Sequence, residues 1–532
     1  MVMNTSNSAT LQPRDKVRVL EQLHWLDKVL VALGCGCLLG LSTPGFDLWY
    51  LSWFGLVPAL VLIASCKSKW QATAVGLVFG LGYHLVALWW ILGLYPLPWL
   101  GVSNWLAFQS VILVWLAESL HQSILMAGFA LFAYVLPTRA GLLPHYARPY
   151  FPYLLTLPVI WLFLHWVVGP AEYFAGMPVN QLAYSQSCFI ELIQIAKLGG
   201  SQLVECLLLL SNCALAALII ERSGWVTPLA ARVDPISPRV GAFVDLALVA
   251  TLILLATVWG GSEVAVRPAG ITATAVPVEL AVIQGNIGAE DELSGLMSAS
   301  EIVHRYTSLI DKLGVSILVL PEGVAKTTTG ALWGALRTVA REQKKEAIVG
   351  TVEPVEGGAV NAVRIITGCG QENHVYVQRR LVPFNQFVAG LLSIIGLPKS
   401  IWQCAGGGLI STRQLSCPAS IWGKVGASVS AELLYPHLVA DEVRHGASLL
   451  VALVNLSWFH NAGVNRQIVA AAVMRAVENG RFLVLATNTG ISAVIYPSGF
   501  VSSASAPGHP GVLVDTVQFL YQKTPFTRMW WL

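Results

Sequence analysis

Seven long apolar segments in the first half of the chain constrain its fold more than any other feature. A bilayer core about 30 Å thick is crossed by about 20 apolar residues in a helix, whose backbone groups pair within the segment. The chain is also poor in charge, because only 11% of its 532 residues are charged, against roughly a quarter in an average soluble protein. We therefore expect a membrane domain of about seven transmembrane helices over residues 28–262. The predicted spans are residues 28–44, 47–66, 71–95, 105–136, 152–169, 202–221 and 243–261.

The positive charges between these segments predict an orientation. Lys and Arg accumulate in short loops on the cytoplasmic side of a membrane. They precede the first segment and follow the second, fourth and sixth, whereas the loops after the first, third and fifth hold only Lys197. The first segment lacks a small-residue cleavage site, which favours an anchor over a removable signal peptide. We expect residues 1–27 to form a cytoplasmic tail and the chain beyond residue 262 to lie across the membrane.

Two ionisable residues interrupt the fourth apolar segment. Glu118 and His121 lie about one helical turn apart. Ionisable groups at membrane depth are candidates for a functional role. They can equally lie near the membrane surface or pair with each other for packing, and the sequence leaves both interpretations open.

The composition argues against several kinds of partner. A net charge of +3, without a dense Lys/Arg cluster, gives no surface that tracks phosphates, and we predict no nucleic-acid partner. The histidines show no metal-ligand spacing, and we predict no metal and no cofactor. Five of the nine cysteines lie in apolar runs, where small buried side chains are common. A bridge between Cys404 and Cys417 stays possible in an oxidising compartment.

Residues 278–515 read as a different, globular domain. Short β-rich runs alternate with amphipathic helices, a pattern typical of a layered α/β fold. In such folds, reactive groups lie at the carboxyl ends of strands. Three candidate strand ends carry polar residues: Pro321-Glu322, the segment 376–387, and Ser430-Ala431-Glu432.

The order of motifs along the chain resembles one known family. The first half contains STPGFDLWYLSWFGLVPAL, GLGYHLVALWWI, PVIWLFLHW and GMPVNQLAYSQ, and the second half contains LPEG, RLVPFNQF, SAELLYP and NLSWFHNAGVNRQ. Together they resemble the apolipoprotein N-acyltransferases, membrane-anchored members of the carbon–nitrogen hydrolase (nitrilase) superfamily. The resemblance implies a multi-span α-helical membrane domain in a bacterial inner membrane, with an α-β-β-α nitrilase-like α/β domain in the periplasm. Residues 516–532 are then a tail where the family's last helix would begin.

The resemblance also implies a reaction. The family transfers an acyl chain from a phospholipid to a Cys, and from there to the α-amino group of a diacylglyceryl-cysteine lipoprotein. A phospholipid donor, diacylated lipoproteins and the bilayer are therefore the expected partners. A Glu acts as base for the Cys, and a Lys stabilises the oxyanion.

The family's three catalytic positions are only partly kept. Glu322 in Leu-Pro-Glu-Gly matches the Glu base, whereas Gln378 occupies the Lys position and Ser430 the Cys position. An alcohol is far harder to ionise than a thiol, and an amide carries no charge to place against an oxyanion. These two replacements put the family's chemistry in question.

Five further residues are expected to support the site. Glu432 matches a retained Glu, whereas Gln386 replaces a second carboxylate. Arg380 has the same strand parity as Gln378 and could supply a cation. Trp458 and Phe459 resemble a loop near the family's active site, where they contact an acyl chain or simply pack the core. The glycines at 406–408 predict either a lid over the lipid entrance or an ordinary loop.

Three interpretations remain open at this stage. In the first, the chain is a working acyltransferase with Ser430 as nucleophile, Glu322 as base, and Arg380 or Gln378 at the oxyanion. In the second, it is a catalytically silent homologue that binds phospholipid or lipoprotein without acyl transfer. In the third, the helices form a transporter with a sensor domain, although the membrane segments show no repeat of interrupted helices.

Overall fold

The architecture was obtained from a computed structural model. It describes residues 19–97, 102–136, 138–139, 151–168, 181–223, 225–226, 238–266, 275–288, 291, 296–326, 328–356, 358–381, 409–412, 414–460 and 463–529. Gln386, Cys404 and the glycines at 406–408 lie outside the described residues.

Each of the seven apolar segments coincides with helix. The helices are α1 (Trp25–Gly40), α2 (Val57–Ala64), α3 (Lys69–Ala87), α4 (Asn104–Val135), α5 (Tyr153–Val168), α6 (Ser201–Ser223) and α7 (Pro238–Val266). A single turn at Val19–Gln22 precedes α1. Short 3-10 helices at Trp49–Trp53, Trp89–Leu94 and Leu182–Gln186, and single turns at Ile190–Ile193 and Ala196–Gly199, lie between the helices. Among the described residues, α4, α6 and α7 are long and apolar enough to cross a membrane, whereas the other four are shorter or less apolar. The chain is a membrane protein.

Small residues let three of these helices pack closely. A Cβ added to Gly82 of α3 would lie 2.3 Å from the carbonyl oxygen of Leu33 in α1. A Cβ added to Gly76 of α3 would lie 2.3 Å from the Cβ of Ala130 in α4. Glycine permits such backbone contact, which is the usual way that membrane helices approach one another.

The α/β domain contains two six-stranded sheets. A separate two-residue parallel pair, β1 (Thr138–Arg139) and β2 (Phe151–Pro152), lies between α4 and α5. The strands of the two sheets are β3 (Pro277–Gln284), β4 (Ile317–Ala325), β5 (Glu346–Val355), β6 (Gly358–Ile366), β7 (Glu372–Val377), β8 (Ala419–Ser420), β9 (Gly423–Val429), β10 (Leu449–Val454), β11 (Leu483–Thr487), β12 (Ala493–Ile495), β13 (Val501–Ala504) and β14 (Gly511–Gln518). The first sheet has the order β14-β3-β4-β5-β6-β7, and the second has the order β13-β12-β11-β10-β9-β8. β3, β4 and β5 are parallel neighbours, as are β9, β10 and β11.

Alternating side chains divide each sheet between two cores. Val319 of β4 and Val429 of β9 both belong to the core between the sheets, whereas Leu320 belongs to the core on the other face of the first sheet. Helices α8 (Ala299–Ile310) and α9 (Ala331–Gln343) cover the outer face of the first sheet, and α10 (Pro436–Arg444) and α11 (Gly463–Asn479) cover that of the second. A short helix, α12 (Pro525–Met529), follows. The expected α-β-β-α order is confirmed.

The second helix layer is shared with the membrane domain. The side chain of Gln467 in α11 donates to the carbonyl oxygen of Ala87 at the end of α3, at 2.8 Å. Arg475 and Glu478 of α11 form a fully buried ion pair, and the backbone N–H of Ser201 in α6 donates to Glu478 at 2.6 Å. One continuous hydrophobic core joins α11 to the membrane helices. The carboxyl ends of the central strands are therefore positioned by both domains.

Candidate active site

Polar residues that are distant in sequence meet at the carboxyl ends of four strands. Glu322 lies in the last part of β4, Gln378 directly follows β7, Ser430 directly follows β9, and Asn455 directly follows β10. β9 and β10 are parallel, with Leu453 opposite Val429, so that Ser430 and Asn455 end neighbouring strands. The structure thus brings together the three residues that the sequence proposed as base, Lys replacement and nucleophile.

Two donors hold the Glu322 carboxylate in place. The side-chain nitrogen of Asn361 donates to Oε1 at 2.6 Å, and the backbone N–H of Asn455 donates to Oε2 at 2.9 Å. Burial raises the pKa of Glu322 to about 7, although these two hydrogen bonds oppose the shift. The charge of Glu432 adds to the rise. A carboxylate with such a pKa is a stronger base near neutral pH than an ordinary Glu.

Ser430 has an unusual backbone conformation. Its φ angle is 57°, in the left-handed region, and it begins a 3-10 helix over Ser430–Leu434. For a residue other than glycine this conformation costs about 1–2 kcal/mol and persists only where the surroundings impose it. Such strain concentrates at functional sites. The sharp turn from strand to helix presents the Ser430 side chain beyond the end of β9.

Gln378 bridges the ends of both sheets. Its backbone N–H donates to the carbonyl oxygen of Asn361 at 2.8 Å. Its side-chain Nε2 donates to the carbonyl oxygens of Arg380 at 3.0 Å and Val429 at 3.4 Å. The residue is 1% exposed, and its Oε1 has no hydrogen-bond partner among the described residues. The side chain is therefore fixed next to the turn that carries Ser430.

Arg380 places a positive charge close to this turn. Its guanidinium carbon lies 3.9 Å from the centre of the Tyr435 ring, a distance typical of cation–π contact. Its Nη2 is buried and has no hydrogen-bond acceptor within the described part of the chain. Burial raises the pKa of Tyr435, and the charge of Arg380 opposes that rise. An unpaired buried guanidinium N–H group can donate to an oxyanion.

Glu432 joins the Ser430 turn to the residues after β7. Its Oε2 accepts from the backbone N–H of Val429 at 2.8 Å and from the hydroxyl of Tyr376 at 2.8 Å. Its Oε1 accepts from the backbone N–H groups of Arg379 at 2.6 Å and Arg380 at 3.0 Å. Burial raises the pKa of Glu432 to about 7. Glu432 is a positioning residue, because all four donors belong to the segments that carry the site.

Sequence reasoning did not single out Asn361 or Tyr376. Asn361 is 4% exposed, and its Oδ1 also has no hydrogen-bond partner among the residues that the structure describes. Its only signal in the sequence is a polar residue between the apolar residues Val360 and Ala362 of β6. Asn455 was noted only as part of the motif before Trp458, and the structure shows that its backbone contacts the Glu322 carboxylate directly.

The aromatic loop after β10 contacts the membrane domain. The Phe459 ring packs edge to face on Trp90, with ring centres 5.0 Å apart. The backbone N–H of His460 donates to the carbonyl oxygen of Gly93 at 2.8 Å. The loop with Trp458 therefore lies between the site and the 3-10 helix after α3, while Gln386 lies outside the described residues.

Glu118 and His121 form a pair on α4. His121 Nδ1 lies 3.4 Å from the Glu118 carboxylate, which also accepts from Gln122 at 2.8 Å. The Trp115 indole, one turn away, donates to the carbonyl oxygen of Leu85 near the end of α3. The charge of Glu118 is close enough to Tyr435 to raise the pKa of that phenol further. The pair thus lies at the end of the bundle that adjoins the α/β domain.

Within the described part of the chain, no group of three His, Cys, Asp or Glu side chains is arranged to hold a metal ion.

Comparison with known proteins assigns both halves of the chain. Residues 35–214 match the family model of the apolipoprotein N-acyltransferase N-terminal domain, and residues 279–524 match that of the carbon-nitrogen hydrolases. The chain belongs to the apolipoprotein N-acyltransferase family. The apolipoprotein N-acyltransferase of Gloeobacter violaceus is 27% identical and is aligned over 92% of this chain and 88% of its own length. The apolipoprotein N-acyltransferase of Thermosynechococcus vestitus is 25% identical and is aligned over 97% of this chain and 95% of its own length.

A solved structure is similar to part of this chain. Nit3 of Saccharomyces cerevisiae, a member of branch 10 of the nitrilase superfamily, is 15% identical, with a TM-score of 0.35. The match covers 46% of this chain and 90% of that protein. The family resemblance in the sequence motifs is confirmed by the two family models.

Proposed function

We propose that this chain transfers an acyl chain from a membrane phospholipid to the terminal α-amino group of a diacylated lipoprotein, through an acyl ester on Ser430. The observation that carries the proposal is the left-handed Ser430 turn at the strand ends that also hold the half-buried Glu322 carboxylate, whose pKa burial raises to about 7. Full-length relatives named apolipoprotein N-acyltransferase support the acceptor and the reaction.

In the first half-reaction the phospholipid ester is attacked. A Glu322 oxygen removes the Ser430 hydroxyl proton as Oγ bonds to the ester carbonyl carbon. The tetrahedral intermediate then breaks its bond to the glycerol oxygen, which takes the proton from Glu322. The products are the lysophospholipid and an acyl ester on Ser430.

In the second half-reaction the amine replaces the serine. The neutral α-amino group, having lost its ammonium proton to water, attacks the ester carbonyl, and Glu322 takes one N–H proton. The carbon–Oγ bond breaks, and Oγ recovers that proton from Glu322. An amide is formed, and the hydroxyl of Ser430 is regenerated for the next cycle.

Both half-reactions pass through an oxyanion on the same carbonyl oxygen. We assign the stabilisation of this oxyanion to Arg380, whose buried Nη2 lacks an acceptor among the described residues. A guanidinium group presents its N–H donors in a fixed, planar arrangement, which suits an oxyanion. The sequence analysis predicted either Arg380 or Gln378 as the oxyanion donor, and the proposal chooses Arg380.

The proposed cellular location is the inner membrane of a bacterium, with the α/β domain on the periplasmic side. The distribution of Lys and Arg between the apolar segments supports this orientation. The phospholipid and the lipoprotein would then reach the strand ends from the outer leaflet. The contacts of the Phe459 loop with Trp90 and Gly93 support this, because they lie between the site and the membrane helices.

A catalytically silent role is the weaker interpretation. It rests only on the replacement of Lys by Gln378 and Cys by Ser430. Two features equip the site for proton transfer and oxyanion binding: a Glu with a pKa of about 7, and a guanidinium N–H group that has no acceptor among the described residues. The relatives that align with almost the whole chain carry the name of the enzyme.

The test is the formation of an acyl-enzyme in lipid nanodiscs. The purified full chain is incubated with a phospholipid that carries a fluorescent acyl chain, and the labelled protein is measured after denaturing electrophoresis. We expect labelling of the unaltered protein and of Ser428→Ala, a neighbouring serine on β9, and none of Ser430→Ala. The adduct should resist neutral hydroxylamine, as an oxygen ester does and a thioester does not. No labelling of the unaltered protein, or equal labelling of Ser430→Ala, would refute the proposal.

A further inference from the structure

The orientation of the Gln378 amide is fixed by two neighbours that can only accept hydrogen bonds. Its Nε2 lies 3.0 Å from the carbonyl oxygen of Arg380 and 3.4 Å from that of Val429. If the amide were reversed, its oxygen would face two carbonyl oxygens and every one of these contacts would be repulsive. The nitrogen is therefore committed to the backbone, and the oxygen is the free end.

Within the described part of the chain, that oxygen is an unpaired acceptor inside the site. Gln378 is 1% exposed, and Oε1 has no hydrogen-bond donor among the described residues. A buried acceptor without a donor is destabilising, and native proteins keep few such groups without a reason. A donor on a bound substrate would satisfy it.

The surroundings of Gln378 place it among the reacting groups. Its backbone N–H donates to Asn361, whose side chain donates to the Glu322 carboxylate. Its side-chain nitrogen contacts the carbonyl group of Val429, the residue before Ser430. Oε1 therefore belongs to the same small cluster of polar groups as the proposed base and nucleophile.

The two half-reactions bring different groups to this cluster. The phospholipid ester offers only acceptor oxygens, and an oxyanion would be repelled by Oε1. The α-amino group of the acceptor is the one reacting group that brings N–H donors. Of the two substrates, only the amine complements the free end of Gln378.

We propose that Oε1 of Gln378 holds the incoming amino group in the second half-reaction. The neutral amine has two N–H bonds: one proton passes to Glu322 and the other N–H donates to Oε1. Its lone pair is then directed at the acyl carbon of the Ser430 ester. An oxygen ester reacts more slowly with amines than a thioester, so holding the amine in a reactive orientation compensates for the serine. This inference rests on the proposed function and assigns Gln378 a role opposite to that of an oxyanion donor.

The test separates the two half-reactions. Acyl-enzyme formation is measured as above, and the fate of the preformed acyl-enzyme is followed with a diacylated lipopeptide whose α-amino group is free. The ratio of amide formed to acyl chain lost by hydrolysis is compared for the unaltered protein, Gln378→Met and Gln378→Glu. Met removes the acceptor while keeping a similar length. Burial and the two neighbouring carbonyl oxygens favour the protonated form of Glu at this position, whose hydroxyl donates as Nε2 does and whose other oxygen keeps an acceptor at the same reach.

We expect Gln378→Met to lower the ratio of amide to hydrolysis by about tenfold, with a much smaller change in acyl-enzyme formation. Gln378→Glu should keep the ratio within about threefold of the unaltered protein. An oxyanion donor would behave differently, because its loss slows both half-reactions by similar factors. Equal losses in both half-reactions for Gln378→Met, or an unchanged ratio, would overturn this inference and leave the proposed function standing. An unaltered protein that forms no acyl-enzyme would overturn both.

Discussion

The raised pKa of Glu322 predicts an unusual dependence of acylation on pH. Only the ionised carboxylate can remove the Ser430 proton, and burial raises its pKa to about 7. At about pH 5.5 a carboxyl group with that pKa is only about 3% ionised, whereas an ordinary Glu is more than about 90% ionised. The rate of acyl-enzyme formation should therefore fall about 30-fold between about pH 8.5 and pH 5.5.

The measurement is the single-turnover rate of acyl-enzyme formation in nanodiscs across this range. Asn361→Leu removes the donor that stabilises the charged form of Glu322. Loss of one such hydrogen bond should raise the midpoint by about one pH unit. Gln371→Leu, on the exposed turn between β6 and β7, is the matched control and should leave the midpoint unchanged. Rates at the two pH values within about threefold of each other would refute the reasoning, as would a lower midpoint in Asn361→Leu.

Three other changes test the surroundings of the site. Glu432→Gln replaces a carboxylate oxygen by a nitrogen that cannot accept from the Val429 N–H. The free energy of unfolding, measured by thermal unfolding, should fall by about 1–3 kcal/mol, and acylation should slow about tenfold or more. Unchanged stability would contradict the positioning role of Glu432. Glu118→Gln disrupts a partly exposed pair with His121 and should change acylation less than about threefold, and a larger loss would identify the pair as part of the reaction. Phe459→Ala removes an aromatic contact with Trp90 of the membrane domain and should lower the free energy of unfolding by about 1–3 kcal/mol. An unchanged free energy of unfolding would show that the loop does not stabilise the contact between the two domains.

The sequence predicted the strand ends well because local signals mark them. Buried β runs followed at once by Glu322 and by Ser430 are visible in the chain, and the amphipathic stretches between such runs include the helices α8 and α9. The alternation of such elements is sufficient to place reactive groups at one edge of each sheet. The facing of the two sheets followed from the family resemblance.

Other features depend on partners that are distant in sequence. The second apolar segment is a 3-10 helix followed by the eight-residue α2, because Pro58 favours a new helix start after Gly55. Apolar content alone does not reveal that break. The role of Asn361 depends on Glu322, 39 residues away, and the free oxygen of Gln378 depends on carbonyl groups from two other segments. Pairings of this kind arise only when the sheets assemble.

The two replacements at the site are physically consistent with each other. A Lys ammonium at position 378 would lie near Glu322 and hold its pKa down, since an opposite charge favours the carboxylate. With the neutral Gln378 in its place, burial dominates and the pKa of Glu322 rises to about 7. A stronger base is what an alcohol requires, because Ser430 is much harder to deprotonate than a thiol.

This consistency leads to a prediction for Gln378→Lys. The new ammonium should lower the pH at which the acylation rate is half-maximal by at least about one unit. Glu322 would then be a weaker base for Ser430 at high pH, where the rate reaches its plateau. The plateau rate of the single variant should therefore fall, and Gln378→Lys combined with Ser430→Cys should recover it, because a thiol needs less help to ionise. A single variant that acylates faster than the unaltered protein would show that oxyanion stabilisation outweighs the strength of the base. The serine would then be an impaired substitute for cysteine, not one half of a matched pair with glutamine.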